Sequence, residues 1–230
     1  RLAAMAAGPS GGWTAPPPPD GGAAAWTRVF FYALVSAGTL GLQYCGGLLV
    51  VDLLTEFGQS RAATAAVFSA GTGAMDVLAV AAGWLILRQG EARTCLLGAL
   101  LAASGLALSA ATTRLAHLFI TWSLLVGAGH SLALFSGVVL VNRWFRGRRG
   151  LASALGNTGA AAGPFALGAA WLELTRTLGW RRTLLLLAGA ELVVLGVAAC
   201  WLTRPGTKAG GALAVVAGGD GDGDGAPKGR

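Results

Sequence analysis

Three ionisable side chains lie inside long apolar stretches of this 230-residue chain: Asp76, His130 and Glu191. Hydrocarbon makes an unpaired charge cost several kcal/mol, so such groups bind protons, line water-filled paths or pair with one another. Asp76 is expected to face an interior or cavity, as a proton site or as lining of a solute path. A neutral, hydrogen-bonded structural acid is the other reading. Glu191 carries the same two readings. Histidine as a residue type can exchange a proton near neutral pH, so His130 reads either as a proton relay or as a hydrogen-bonded packing residue. Asn157 is a further candidate for the cavity that His130 would face. Gln43 and Tyr44 offer an amide and a phenol, which hydrogen-bond a carboxylate without neutralising it. Covalent chemistry is not indicated, since no Ser-His-Asp order, metal-ligand cluster or phosphate-cradling glycine loop occurs. Cys45, Cys95 and Cys200 lie in or at the ends of three different apolar runs without ligand spacing, and are read as packing residues. No cofactor or metal is expected.

The elements that must hold these groups are long helices. The chain is 54% hydrophobic and only 12% charged, where a soluble domain carries about 25% charged residues. Mean hydropathy is +0.64. Six apolar runs cover residues 29–51, 62–87, 94–113, 118–141, 151–172 and 183–202. Each comes close to or exceeds the roughly 20 residues that cross a bilayer as a helix. Backbone polar groups in lipid must be satisfied within the segment, and the runs lack the period-two alternation of barrel strands. The expectation is an all-α transmembrane bundle of six helices.

Arginine and lysine placement gives the orientation. With a cytosolic N-terminus, the cytosolic segments hold 12 basic residues and the opposite side 5, which together make the 17 of the chain. Both ends are then cytosolic. The net charge of +7 is carried by the junctions between apolar runs, so it implies a lipid surface and no nucleic acid. No signal peptide is expected. Residues 1–25 are read as a disordered cytosolic N-terminus, 26–203 as the bundle, and 204–230 as a flexible cytosolic tail or the start of a longer loop. Asp220, Asp222 and Asp224 lack the closing Glu of a calcium loop.

Four stretches carry a resemblance. "RWFRGRRGLASALGNTGAAAG" (143–163) has an aromatic pair, Trp144 and Phe145, then Arg148 and Arg149, then Leu151, Ala152, Gly159 and Gly163. "PPDGGAAAW" (18–26) supplies Asp20, Gly21, Gly22 and Trp26 before the first helix. "LGWRRTLLLLAGA" (178–190) supplies Gly179, Trp180 and Arg181 at the start of the sixth. "GWLILRQGEAR" (83–93) supplies Gly83, Arg88 and Gly90, with Leu87 at the position that usually holds an acid. The first three together resemble the N-terminal half of the monocarboxylate transporter family, within the major facilitator superfamily, and the fourth resembles a degraded form of that superfamily's loop between helices two and three.

The resemblance implies twelve helices in two six-helix halves, with a small organic solute bound between them near the midplane. It implies symport with a proton, plasma-membrane residence and a single-span accessory glycoprotein as partner. The missing C-terminal half would be the bundle's other partner, so the chain reads as a fragment. In the family a basic residue in the first helix meets the substrate carboxylate. The match of Ser36 and Gly38 puts Cys45 there, and no Lys or Arg lies between Arg28 and Arg61. A neutral or differently charged solute therefore stays open beside a monocarboxylate. Gly156, Gly159 and Gly163 share a helix face that admits a close neighbour, and Pro164 is expected to bend that helix. Arg143, Arg148 and Arg149 read either as topology determinants or as a cytosolic gate. The expected function is a carrier; the alternative is a transport-incompetent six-helix scaffold or partner-binding protein.

Overall fold

The structure, a computed structural model, describes residues 22–202, and every regular element among them is helical. Asp20, Gly21 and the three tail aspartates lie outside the described residues. Six rods follow one another. The first is α1 (Ala23–Cys45), a 3-10 turn (Gly46–Leu49) and α2 (Val50–Phe57). The second is α3 (Arg61–Val77) and α4 (Ala79–Gln89), bent by 44° between them. The third is α5 (Glu91–Ala110). The fourth joins α6 (Leu115–Leu118), a π-helical stretch (Phe119–Val126) and α7 (Gly127–Trp144). The fifth is α8 (Arg149–Leu178) and the sixth α9 (Trp180–Trp201).

Four rods are long and apolar enough to cross a bilayer: the first, third, fourth and sixth. The bent second rod makes five. The sixth expected span, α8, has 30 residues, about 45 Å at 1.5 Å per residue, ample for a 30 Å core. Its mean hydropathy falls short because glycine, alanine, Asn157 and Thr158 fill it. Packing accounts for that composition. A Cβ on Gly159 would collide with the carbonyl of Ala33, and one on Gly163 would come within 2.5 Å of the carbonyl of Ala37. Here α8 lies on α1 backbone to backbone, which bulky apolar residues would prevent. The helix runs on through Pro164.

Gly90 and Gly179 are each the one residue between consecutive rods. Their φ angles of 88° and 81° are in the region that side chains disfavour. The Ser60 side chain caps α3 by accepting from the Ala63 amide at 3.2 Å.

The core has two layers. One, toward the start of α1, gathers Val29, Tyr32, Trp144, Phe145, Leu195 and Ala198. The other, toward Phe57, gathers Leu53, Trp122, Trp171, Trp180 and Leu184. Leucines and valines such as Leu100, Leu108, Leu185 and Val193 stay exposed on α5 and α9, as a lipid-facing surface would have them.

The glycine contact is testable against a glycine in open space. Gly159→Ala is expected to destabilise the chain in detergent by about 1–3 kcal/mol, since the added methyl meets backbone that cannot move aside. Gly189 has nothing within 4 Å of a Cβ, so Gly189→Ala is expected to stabilise α9 by about 0.5–1 kcal/mol. Thermal unfolding followed by circular dichroism reads both. Equal melting temperatures for the two variants would contradict the packing described.

Candidate functional site

His130 and Glu191 face each other inside the bundle. His130 Nε2 lies 2.6 Å from Glu191 Oε1, and the side chains are 0% and 2% exposed. The contact joins α7 to α9. Between them passes α5, whose Gly98 lets the fourth rod approach: a Cβ there would come within 2.6 Å of the Gly129 carbonyl. Gly129 immediately precedes His130, so the close approach of α5 also fixes where the imidazole enters the core. The outer atoms of the pair, His130 Nδ1 and Glu191 Oε2, have no hydrogen-bond partner in the structure.

Each end of the bundle carries an ion pair between rods. At the end where α1 starts, Arg143 Nε lies 3.0 Å from Glu91 Oε1, whose side chain is 1% exposed. This is an ion contact by distance, without hydrogen-bond geometry. Trp26 packs edge-on against Phe145 at 5.2 Å, and the Arg28 guanidinium sits 4.0 Å over the Trp144 ring. Arg149 Nε donates to the Phe145 carbonyl at 2.6 Å. At the other end, Glu56 accepts from Arg181 Nη2 at 2.6 Å and from Trp180 Nε1 at 2.6 Å. Arg181 donates as well to the carbonyls of Ala110 and Thr112 at 2.7 and 2.8 Å. One guanidinium therefore ties together the ends of the first, third and sixth rods, and satisfies carbonyls that the end of α5 leaves open.

The remaining candidates fall into separate places. Tyr32 fills a slot between α7 and α8, where a Cβ on Gly137 or on Gly156 would strike its ring, and its hydroxyl donates to Asn157 Oδ1 at 2.8 Å. Gln43 is buried and donates to the Phe68 carbonyl and Thr72 Oγ1 at 3.3 and 3.1 Å, tying α1 to α3. The second core tie of α3 is Ser123 of the π-helical stretch, which donates to the Val67 carbonyl at 2.7 Å. Tyr44 is 61% exposed. Asp76 and Asn157 are exposed too, and the Asp76 side chain has no partner among the described residues. Asp76 precedes the break at Leu78, near the middle of the second rod. His130 and Asn157 thus do not share a cavity.

Several residues that matter to this arrangement escaped the sequence. Glu91, four residues after Leu87 and on the next rod, is a buried carboxylate in contact with Arg143. The signal was the acid directly after Gly90, at a helix start, where carboxylates are favoured. Tyr32 had a signal in the glycines it lies against. Glu56 had none, since its partners are more than a hundred residues away.

With the geometry in place, the chain can be set beside known proteins. Residues 23–219 match the family model described as Major Facilitator Superfamily. Monocarboxylate transporter 14 of Homo sapiens is 34% identical over 168 residues, 73% of this chain and 33% of that protein. Monocarboxylate transporter 12 of Homo sapiens is 32% identical over 199 residues, 86% and 36% of the two chains. Monocarboxylate transporter 7 of Homo sapiens is 26% identical over 187 residues, 81% and 34%. The chain spans about a third of the length of these curated relatives.

The two end pairs should differ in weight. Arg143→Ala removes the 3.0 Å ion contact of a carboxylate that is 1% exposed, and is expected to cost about 2–3 kcal/mol, less than a fully buried pair because Arg143 itself reaches water. Glu56→Ala breaks a contact more than a third exposed on both sides, with an expected cost of about 1 kcal/mol or less. Unfolding of both variants in detergent checks the order, and a larger loss for Glu56→Ala would contradict it.

Proposed function

Given that the chain belongs to the Major Facilitator Superfamily and is a multi-pass integral membrane protein, we propose that it forms the N-terminal half of a carrier. The carrier moves a small organic solute, monocarboxylate-like, by exposing a site between two six-helix halves to each side in turn. The observation that carries this reading is the exposure of Asp76. A carboxylate near the middle of a spanning rod, facing outward and unpaired, costs several kcal/mol against lipid. A second half with a hydrated cavity between removes that cost. Tyr44 and Asn157, also exposed on spanning rods, are the other polar groups such a cavity would receive. Gln43 shapes the path from behind by holding α1 to α3.

The end bearing Glu91 and Arg143 is the cytosolic one in this reading, because among the described residues it holds seven basic side chains against five at the other end. The plasma membrane is its place. The Arg143–Glu91 contact and the Trp26–Phe145 and Arg28–Trp144 stacks hold the third and fourth rods and the start of α1 together as one piece. That rigidity suits rocking of one half against the other, where the solute site changes its exposure and the bundle does not change its shape. A site that binds its solute only modestly differently in the two states can also release it. At the Cys45 position the sulfur contacts the Pro164 carbonyl at 3.7 Å, so this side chain looks into the α1–α8 seam and offers a carboxylate no cation. A neutral solute, or a carboxylate accompanied by a proton, fits that composition.

Sequencing the transcript beyond Arg230 tests the half-carrier assignment: six further spanning segments support it, and a stop codon supports a scaffold. For the full-length carrier in vesicles, Asp76→Asn is expected to lower uptake of labelled lactate, pyruvate or a neutral solute by about tenfold, or roughly 1.4 kcal/mol in barrier. It should leave the melting temperature unchanged, because the Asp76 side chain is exposed and has no hydrogen-bond or ion-pair partner among the described residues. Unaltered uptake of every solute would remove Asp76 from the path. Labels at Gly147 and Arg114 are expected to report opposite faces of the membrane.

A further inference from the structure

The buried pair His130–Glu191 stands apart from the solute path just described. Both side chains are enclosed within the six-helix half, whereas Tyr44, Asp76 and Asn157 are exposed on it. We infer that His130 and Glu191 together form a proton-binding site inside this half, closed off from the interface where the solute would sit.

Charge accounting leads there. At 2.6 Å the imidazole nitrogen and the carboxylate oxygen must have a hydrogen between them. If that hydrogen is the neutral imidazole's own, the pair carries a net charge of −1 in a low-dielectric interior, which needs a counter-cation. Among the described residues, no Lys or Arg contacts either side chain. On α5, the titratable group facing α9 here is the Cys95 thiol, which contacts the Leu195 carbonyl one turn beyond Glu191. On α3, the residues packed near Gly127, one turn before His130, include Gly71, Ala74 and Met75, and the Asp76 that follows is exposed. On α1, Tyr32 spends its hydroxyl on Asn157, and Ser36 is neutral. Glu91 and Arg143 answer each other at the end of the bundle.

An added proton is then the cation that makes the site neutral. Uptake of one H+ from water converts carboxylate plus neutral imidazole, net −1, into a pair of net charge zero, either imidazolium with carboxylate or imidazole with carboxylic acid. Release reverses it. No other reactant takes part. His130 Nδ1 and Glu191 Oε2, without partners, are the positions where a proton can arrive or leave. Because the site bridges the fourth and sixth rods, its charge state alters the attraction between them, independently of whether a solute is bound.

The chain's two histidines make a direct test practical. His117 is exposed and serves as an internal reference. The full chain is labelled with 15N-histidine, reconstituted in lipid, and followed by NMR and infrared spectroscopy between about pH 5 and 8. His117→Gln assigns the two imidazoles. The expected result is an added proton on the pair within that range, seen as His130 imidazolium or as a protonated carboxyl band. Glu191→Gln should abolish the signal entirely and leave His117 unchanged. A neutral His130 beside an ionised Glu191 throughout the range would overturn the proposal, even if the variant failed to fold. Persistence of the signal in a folded Glu191→Gln chain would overturn it as well. Neither measurement involves solute movement, so the transport reading can fail without affecting this one.

Discussion

Where Gly159 lies on the carbonyl of Ala33, two helix backbones touch with nothing but hydrogens between them, and much of the bundle's arrangement follows from that approach. Lipid chains are as apolar as leucine, so apolar side chains gain little by leaving them for one another. Helices in a bilayer associate through dispersion at close range, and the range is shortest where side chains are absent. Gly163 on Ala37 and Gly41 continues the seam. Gly98 and Gly129 repeat the device between α5 and the fourth rod. With α1 held to α8 this closely, the Tyr32 ring has a slot between α7 and α8, and its hydroxyl is carried to Asn157. A ring of that size would hold the helices apart if Gly137 and Gly156 had side chains.

The same seam explains why one span of six hides from a hydropathy measure. The surface of α8 against α1 must be smooth, so its residues are small, and small residues are weakly apolar. Amphipathic spans in a soluble protein lose hydropathy on the face turned to water. Here part of the loss falls on the face turned inward, at Gly156, Gly159 and Gly163, because contact distance there matters more than transfer energy, and part on the exposed Asn157 and Thr158. The first rod shows the converse. It reaches 35 residues, longer than a bilayer needs, and its last turns carry Glu56 out to Arg181 and Trp180 of the sixth rod.

Much of the architecture was legible in the sequence because lipid imposes a length and forbids charge over it. The six rods could be found from the lengths of the apolar runs, whereas the packing of Trp26 on Phe145, which lie in two separate stretches of the sequence, could not. What could not be found was which polar group meets which. Asp76, Glu191, His130, Asn157, Gln43 and Tyr44 all satisfy the same sequence criterion, a polar side chain in an apolar run, yet they are distributed over at least three environments. Glu191 is on the inward side of α9 with His130, whereas Asp76 is on the outward side of α3. A helix turns 100° per residue, so a shift of two positions changes a buried acid into an exposed one, and composition does not register that shift. Glu91 shows the limit from the other direction. An acid is expected at position 87, on the second rod, and the buried carboxylate that Arg143 meets lies on the third, across the single residue Gly90.

A half-bundle taken by itself sorts these groups in a way that a complete carrier does not. In a twelve-helix protein, an acid between the halves and an acid inside one half are both buried, and burial alone says nothing of which touches the solute. With one half alone, the groups belonging to the space between stand exposed, and those belonging to the half's own interior stay enclosed. Asp76 is among the exposed groups and His130 with Glu191 among the enclosed ones, and on the half-carrier reading proposed above Asp76 is the one assigned to the interface. A charge change at the pair has two contacts through which to reach α3, both on the fourth rod. Its π-helical stretch is fastened to α3 where Ser123 donates to the Val67 carbonyl, and Gly127, one turn before His130, packs directly on Gly71, Ala74 and Met75. The second contact adjoins Asp76 in sequence, and the 44° break at Leu78 lies just beyond it.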